Sequence, residues 1–153
     1  MGFDRLMAEV SIRKAQHADA AAVRHVIRAA YAPWVGQLPD LPDVSAGVFD
    51  DIAAGHVHLA EQDQTVIGCL IGRATDANFH LANIAVAPDH GGKGVGRDLM
   101  RFAETLARAL GCREMHLATH RKMSANVAFY QRLGWTVSGA VGNKVTMMLA
   151  LDR

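Results

Sequence analysis

The sequence predicts an α/β (α+β) fold with a mixed central β-sheet and helices on both faces. Amphipathic segments with helical spacing alternate with short apolar runs, and no repeat or low-complexity tract interrupts them. The connections 62–64 and 75–78 are short enough for antiparallel hairpins, which excludes a purely parallel sheet. The predicted order of elements is β-α-α-β-β-β-α-β-α-β-β.

The first half of the chain supplies one strand, two helices and three further strands. Residues 10–14 alternate in polarity, and residues 19–31 place apolar side chains at helical spacing. A loop rich in Pro and Gly, residues 32–43, precedes a second helix at 44–54 that Gly55 ends. The apolar strands that follow cover residues 56–61, 65–74 and 79–86, the last closed by Pro88.

The second half predicts two helices, each followed by strand. The helix at 94–110 has an apolar stripe of Val95, Leu99, Phe102, Leu106 and Leu110, and Gly111 ends it. A strand at 114–119 leads to a helix at 124–133 that ends at Gly134. The final strands, 135–141 and 144–151, flank Gly142-Asn143, a dipeptide that favours a tight hairpin.

Length and composition limit the classes of function. A chain of 153 residues suits one domain, so we expect an N-terminal tail at 1–9 and a single domain at 10–153. A net charge of +1 and 6% aromatic residues give no support for nucleic-acid binding. The two cysteines form no CxxC pair, and we expect no metal. We expect no membrane span and no secretory signal, hence a cytoplasmic protein.

A glycine cluster lies between the strand at 79–86 and the helix at 94–110. Residues 90–97 read His-Gly-Gly-Lys-Gly-Val-Gly-Arg. Glycines allow close approach of the backbone to a ligand, and a helix N-terminus offers unpaired N–H groups, so the segment predicts an anion cradle for a pyrophosphate. The spacing fits neither a Walker A loop nor a dinucleotide fingerprint. The alternative is a glycine-rich connection without a ligand.

Two segments together resemble a known family. Residues 81–100 read Leu-Ala-Asn-Ile-Ala-Val-Ala-Pro-Asp-His-Gly-Gly-Lys-Gly-Val-Gly-Arg-Asp-Leu-Met and are similar to the acetyl-CoA-binding motif of the GCN5-related N-acetyltransferases (GNAT). Residues 122–135, with Asn126, Tyr130 and Leu133-Gly134-Trp135, resemble a later helix of the same family. The order of predicted elements fits that family's fold from about residue 10 to residue 151.

The resemblance implies where acetyl-CoA binds. The strand at 79–86 separates from its parallel neighbour, and the pantetheine arm enters the gap and pairs with the strand's backbone. The implied cofactor-binding residues are Ile84, Ala85, Val86, Gly91, Gly92, Lys93, Gly94, Val95, Gly96, Arg97, Asn126 and Tyr130. The chain departs from the family pattern at Gly91, where Gln or Arg is usual, and at Ala82, where many relatives carry Glu.

The catalytic residues are predicted from chemical need together with the resemblance. Tyr130 is the candidate acid for the departing thiolate, and its alternative role is packing. His80 is the candidate base, since an unperturbed imidazole has a pKa of about 6.5. A purely structural His80, with water or another group as base, remains an alternative. Tyr31 and Trp34 fall in the segment that resembles the family's acceptor-side loop.

These features predict an acetyl-CoA-dependent N-acetyltransferase that moves an acetyl group to a primary amine of a small molecule or peptide by direct attack. The alternative is a catalytically silent sensor that binds acetyl-CoA or CoA. By resemblance alone, we expect a homodimer.

Overall fold

The computed structural model describes residues 9–40, 43 and 45–151. Its elements follow the predicted order. In chain order they are β1 (Ser11–Lys14), α1 (Ala20–Tyr31), α2 (Val48–Ala53), β2 (Val57–Gln62), β3 (Thr65–Thr75), β4 (Asn78–Val86), α3 (Val95–Ala109), β5 (Glu114–His120), α4 (Ser124–Arg132), β6 (Thr136–Val141) and β7 (Lys144–Ala150). The expected N-terminal tail lies, but for its last residue, outside the described residues.

The strands form a seven-stranded sheet in the order β1-β2-β3-β4-β5-β7-β6. Strand β4 pairs with β5 in parallel, in a register that begins at Asn78 with Glu114 and runs to Leu81 with Leu117. The pairs β1–β2, β2–β3, β5–β7 and β6–β7 are antiparallel. The parallel pair needs a long crossover, which α3 supplies, whereas hairpins join the consecutive antiparallel strands. The predicted mixed sheet is therefore confirmed.

The chain divides into two compact units. Of the described residues, those up to 71 and those from 83 to 102 form the first unit, and those from 72 to 82 and from 103 onward form the second. Strands β3 and β4 and helix α3 each contribute residues to both units.

The first unit carries helices on both faces of its strands. On one face, α1 and α2 bury a cluster that includes Ile27, Val48, Leu59 and Cys69. The neighbouring residue Gly68 faces the other way, because a Cβ there would lie 3.0 Å from Leu99 Cδ1 and 3.2 Å from Val95 Cγ1 of α3. Glycine at this position lets α3 approach the sheet closely.

The second unit is built on β5, β7 and β6 with α4. Met115 and Met147 are fully buried on adjacent strands. Trp135, which follows α4, is buried as well, and its ring lies 6.0 Å from that of Tyr130. The predicted helix ends are confirmed, since Gly111 has φ +81° and Gly134 has φ +100°.

Two predicted details are wrong. Helix α2 begins at Val48 rather than at residue 44, because a turn over residues 45–47 with Gly47 at φ +82° precedes it. The predicted stripe of α3 is also displaced: Leu110 is 54% exposed, while Met100, Ala103 and Ala107 are buried. Val95 and Leu99 of the predicted stripe are buried, so the stripe is right at the start of the helix. Toward its end the small side chains of Ala103 and Ala107 face inward, and a pattern of large apolar residues does not reveal them.

Candidate active site

The predicted site residues lie in both units. Tyr31, Trp34 and the segments 84–86 and 91–97 belong to the first unit. His80, Asn126 and Tyr130 belong to the second.

The glycine cluster joins a 3-10 turn, Pro88–His90, to the N-terminus of α3. Gly92 has φ +74° and Gly94 has φ +87°, and no atom lies within 4 Å of a Cβ built on either residue. Glycine is therefore required here by backbone conformation and not by crowding. The amide of Asp98 donates to the Gly94 carbonyl at 3.0 Å, so the amides of residues 95–97 precede this helical bond, as expected of a helix N-terminus.

Charged and polar side chains surround this helix start. Lys93 and Arg97 are exposed cations, and the acidic residues Asp89 and Asp98 are exposed as well. Nδ1 of the half-buried His90 is itself buried and has no hydrogen-bond partner among the described residues. Glycine amides, two cations and an imidazole nitrogen fit a diphosphate group. Gly91 supplies no side chain to it.

The segment Ile84, Ala85 and Val86 forms the C-terminal end of β4. Ala85 is buried, whereas Ile84 and Val86 are half-buried. The parallel pairs with β5 occur upstream of this segment, from Asn78 to Leu81. Just beyond it, the amide of Ala87 donates to the Ile67 carbonyl at 2.8 Å.

Asn83 is a buried polar residue that the sequence analysis did not single out. The Tyr31 hydroxyl donates to Asn83 Oδ1 at 3.3 Å, which connects the last residue of α1 to β4. Asn83 is 6% exposed, and its Nδ2 has no acceptor among the described residues. A signal was present in the sequence, because Asn83 is the one polar side chain in the run Leu81–Ala87.

Burial controls protonation around this pair. It raises the pKa of Tyr31, and the nearby Cys69 acts in the same direction. Burial also raises the pKa of Cys69 to about 12, so this thiol remains protonated at neutral pH. A thiolate is the nucleophilic form of cysteine, and Cys69 is therefore not a nucleophile here.

The loop after α1 is anchored at both ends. Trp34 is half-buried at the end of the 3-10 turn Ala32–Trp34, and its carbonyl accepts from the Gln37 and Leu38 amides at 3.1 and 3.0 Å. Further along, Ser45 Oγ donates to Asp43 Oδ1 at 2.7 Å and accepts from Arg28 Nε at 3.2 Å. Of these bonds, the one from Arg28 joins the end of the loop to α1, and the others lie within the loop.

In the second unit, His80 is exposed on β4 next to a second histidine that was not predicted to be part of the site. The His80 and His116 rings stack with centroids 5.8 Å apart and an interplanar angle of 27°. His116 Nε2 lies 3.0 Å from Glu114 Oε1. The parallel register of β4 with β5 places the two histidines side by side, which sequence spacing alone does not reveal.

Tyr130 is the innermost residue of α4. It is 8% exposed, and its ring makes an edge contact with Phe129 at 5.4 Å in addition to the contact with Trp135. Asn126 lies one helical turn earlier and is half-buried. The ring of Tyr130 thus packs against Phe129 and Trp135, as the packing alternative predicts for this side chain.

Two further searches cover the described part of the chain. No group of three or more His, Cys, Asp or Glu side chains within it is arranged to hold a metal ion. Nor does any of its helices combine the length and hydropathy needed to cross a bilayer.

Comparison with known proteins identifies similar sequences. The model of the acetyltransferase (GNAT) family matches residues 21–135. The chain is 29% identical to the L-amino acid N-acyltransferase MnaT of Escherichia coli K12, over 93% of this chain and 90% of that enzyme. It is 37% identical to streptothricin acetyltransferase of Streptomyces lavendulae over 66 residues, which cover 43% of this chain but 35% of that enzyme.

Solved structures share the fold. The PaiA N-acetyltransferase of Thermoplasma acidophilum, crystallised with coenzyme A, superposes with a TM-score of 0.78 at 20% identity and covers 93% of this chain and 99% of its own. The acetyltransferase YncA of Salmonella typhimurium, crystallised with acetyl-CoA, gives a TM-score of 0.73 at 23% identity, over 95% of this chain and 96% of its own.

Proposed function

The chain belongs to the acetyltransferase (GNAT) family, and we propose that it transfers the acetyl group of acetyl-CoA to a primary amine of a small molecule or peptide by direct attack. The observation that supports this most strongly is the glycine cradle before α3, with positive φ at Gly92 and Gly94. Acetyl-CoA is the acyl donor and supplies the acetyl group as an activated thioester.

The chain's own residues account for binding of the donor. The amides of residues 91–97, with the side chains of Lys93 and Arg97, would hold the pyrophosphate. The backbone of Ile84, Ala85 and Val86 would pair with the pantetheine arm, and one of these N–H groups would polarise the thioester carbonyl. Asn126 adds a side-chain contact.

Proton transfer is assigned to two side chains of the second unit. His80 is exposed on β4, and its role is to accept the proton of the amine. Its ring stacks on that of His116, whose Nε2 lies 3.0 Å from Glu114 Oε1. Tyr130 donates a proton to the departing thiolate, since a phenol hydrogen-bonds well to that anion.

For the acceptor, we propose an amino-acid derivative or a related small amine. The full-length similarity to an L-amino acid N-acyltransferase supports this class. Tyr31 and Trp34 begin the loop that would contact the acceptor, and the bonds of Ser45 with Asp43 and Arg28 hold that loop in place.

We further propose that residues 10–153 act as a single domain, which forms a homodimer in the cytoplasm. A single domain unfolds in one cooperative transition, which calorimetry detects. Light scattering measures the mass of the assembly, and a monomeric mass at working concentration would contradict the dimer.

Thiol-release screening with acetyl-CoA tests the proposed function. The panel contains L-amino acids, their amides, simple alkylamines and short peptides. We expect release of CoA that depends on the acceptor and yields an equal amount of N-acetylated product. Tight binding of acetyl-CoA without release for any amine would instead support the sensor.

A further inference from the structure

We propose that the side-chain amide of Asn83 is a catalytic hydrogen-bond donor to the acyl oxygen during acetyl transfer, and that Tyr31 is the positioning residue that orients it. The inference rests on the proposed function and adds to it a side-chain group on the acyl-oxygen side of the reaction. Its basis is the pair formed by Tyr31 and Asn83 within the first unit.

Asn83 carries a buried hydrogen-bond donor, Nδ2, that no described protein atom satisfies. Asn83 is more than nine-tenths buried, and its Nδ2 is fully buried without an acceptor among the residues that the structure describes. Buried amide donors are almost always paired, because an unpaired one destabilises the fold. An ordered water or an acceptor that arrives with a ligand would satisfy this donor, and we infer the ligand.

The Tyr31 hydroxyl donates to Asn83 Oδ1, so the carbonyl end of the side chain is occupied and the NH₂ end points away from the phenol. Burial keeps this phenol protonated, which preserves it as a donor at neutral pH. A hydrogen bond to the carbonyl of an amide also polarises its N–H groups and makes them better donors.

Asn83 directly precedes Ile84 in β4, the first of the backbone positions proposed to pair with the acyl donor. A backbone N–H and a neighbouring side-chain amide are the components of an oxyanion hole. Such donors contribute most in a site that excludes water, and the burial of Asn83 meets that condition.

The chemistry places a defined demand on this donor. The amine nitrogen forms a bond to the thioester carbon, and the π pair of the C=O bond moves onto oxygen. When that pair returns, the C–S bond breaks, the sulfur leaves with its electron pair and takes up a proton, and the nitrogen loses one. Asn83 Nδ2–H hydrogen-bonds to the oxygen while it carries the additional charge.

The test is the substitution Asn83→Leu, which keeps the volume and removes the donor. We expect kcat to fall by about 10²- to 10³-fold, as for loss of other oxyanion-hole donors, with the KM of the amine unchanged. The Kd of acetyl-CoA should change far less than kcat, because the bond to the neutral carbonyl is weaker than the bond to the oxyanion. Tyr31→Phe should lower kcat by a smaller factor, about 3- to 10-fold, because the donor remains but is less well oriented.

A spectroscopic readout is independent of turnover. With acetyl-CoA labelled by ¹³C at the thioester carbonyl, infrared difference spectra report how strongly bound donors polarise the C=O bond. We expect its stretching frequency to be higher in the Asn83→Leu complex than in the wild-type complex, and intermediate in Tyr31→Phe. If Asn83→Leu does not fold, the Tyr31→Phe spectrum decides the question.

Three results would overturn the inference. The first is an increase in the KM of the amine with unchanged kcat, which would make Asn83 an acceptor-binding residue. The second is unchanged kinetics in Asn83→Leu, and the third is a carbonyl frequency that neither substitution changes. Failure of the proposed function is distinct from these, because wild-type protein would then release no thiol with any amine. The infrared comparison remains valid in that case, since it needs only bound acetyl-CoA.

Discussion

His80 and His116 stack on adjacent parallel strands, with ring centroids 5.8 Å apart, and Glu114 Oε1 lies 3.0 Å from His116 Nε2. The parallel register that pairs His80 with His116 holds the two rings side by side. The candidate base therefore lies on a surface that it shares with a second imidazole.

We therefore expect His80→Ala to change the pH dependence of kcat/KM. The acid limb should disappear or move, because the group that must be deprotonated is gone. The substitution His116→Leu is the matched control, since it removes a ring from the same surface without removing the base, and it should shift the limb less. A wild-type profile in His80→Ala would assign the base to water or to another group.

The cradle can be tested with two glycines of equal strain. Gly94 and Gly111 have φ of +87° and +81°, and no atom lies within 4 Å of a Cβ at either position. Substitution of either glycine by alanine should lower the free energy of unfolding by about 1–2 kcal/mol. Titration calorimetry should show weaker CoA binding for Gly94→Ala alone. Equal affinities in the two variants would place the pyrophosphate elsewhere.

His58 makes stability depend on pH. Burial lowers its pKa, the positive charge of Lys14 acts in the same direction, and its ring packs 4.8 Å from that of Phe102. The unfolded chain therefore binds a proton at higher pH than the folded chain does. Above about pH 6.5 the protonation of His58 does not lower the free energy of unfolding. As the pH falls from there through the lowered pKa of the folded state, the free energy of unfolding decreases by roughly 1.4 kcal/mol per pH unit.

Denaturant unfolding at several pH values measures this effect. His58→Leu should flatten the decline in unfolding free energy below about pH 6.5. His25→Gln is the control, because His25 is exposed on α1. The account of His58 is wrong if both variants decline with the same slope as the wild type.

Local pattern predicted most of the fold. The order of elements, the hairpins and the helix ends at Gly111 and Gly134 depend on periodicity and on residues that permit positive φ, which are properties of neighbouring positions. The start of α2 did not follow from propensity, since the turn before it depends on Gly47 and on the bonds of Ser45. The bonds of Ser45 to Asp43 are local, whereas the bond that Ser45 Oγ accepts from Arg28 spans 17 residues, and the local pattern does not specify it.

The candidate site also has one part that the local pattern predicts and another that it does not. The glycine cradle is one continuous segment, so its position could be predicted. The pairs Tyr31–Asn83 and His80–His116 join residues 52 and 36 positions apart (83 − 31 and 116 − 80). Packing of α1 on β4 brings the first pair together, and the parallel register of β4 with β5 the second. Asn83 was visible as a polar residue in an apolar strand, but its partner was not.

The role of Tyr130 distinguishes an acetyltransferase from a protein that only binds acetyl-CoA. Tyr130→Phe keeps the ring that packs against Phe129 and Trp135 and removes only the hydroxyl. A hydroxyl that acts on the departing sulfur is needed more in the transition state than in the ground state. Binding of the donor should therefore survive this substitution.

The most direct measurement compares kcat with the Kd of acetyl-CoA in wild type and Tyr130→Phe. We predict that kcat falls by about 10²- to 10⁴-fold while the Kd stays within about twofold. A loss of affinity with unchanged kcat, or no change in either quantity, would contradict the assignment of Tyr130 as the acid.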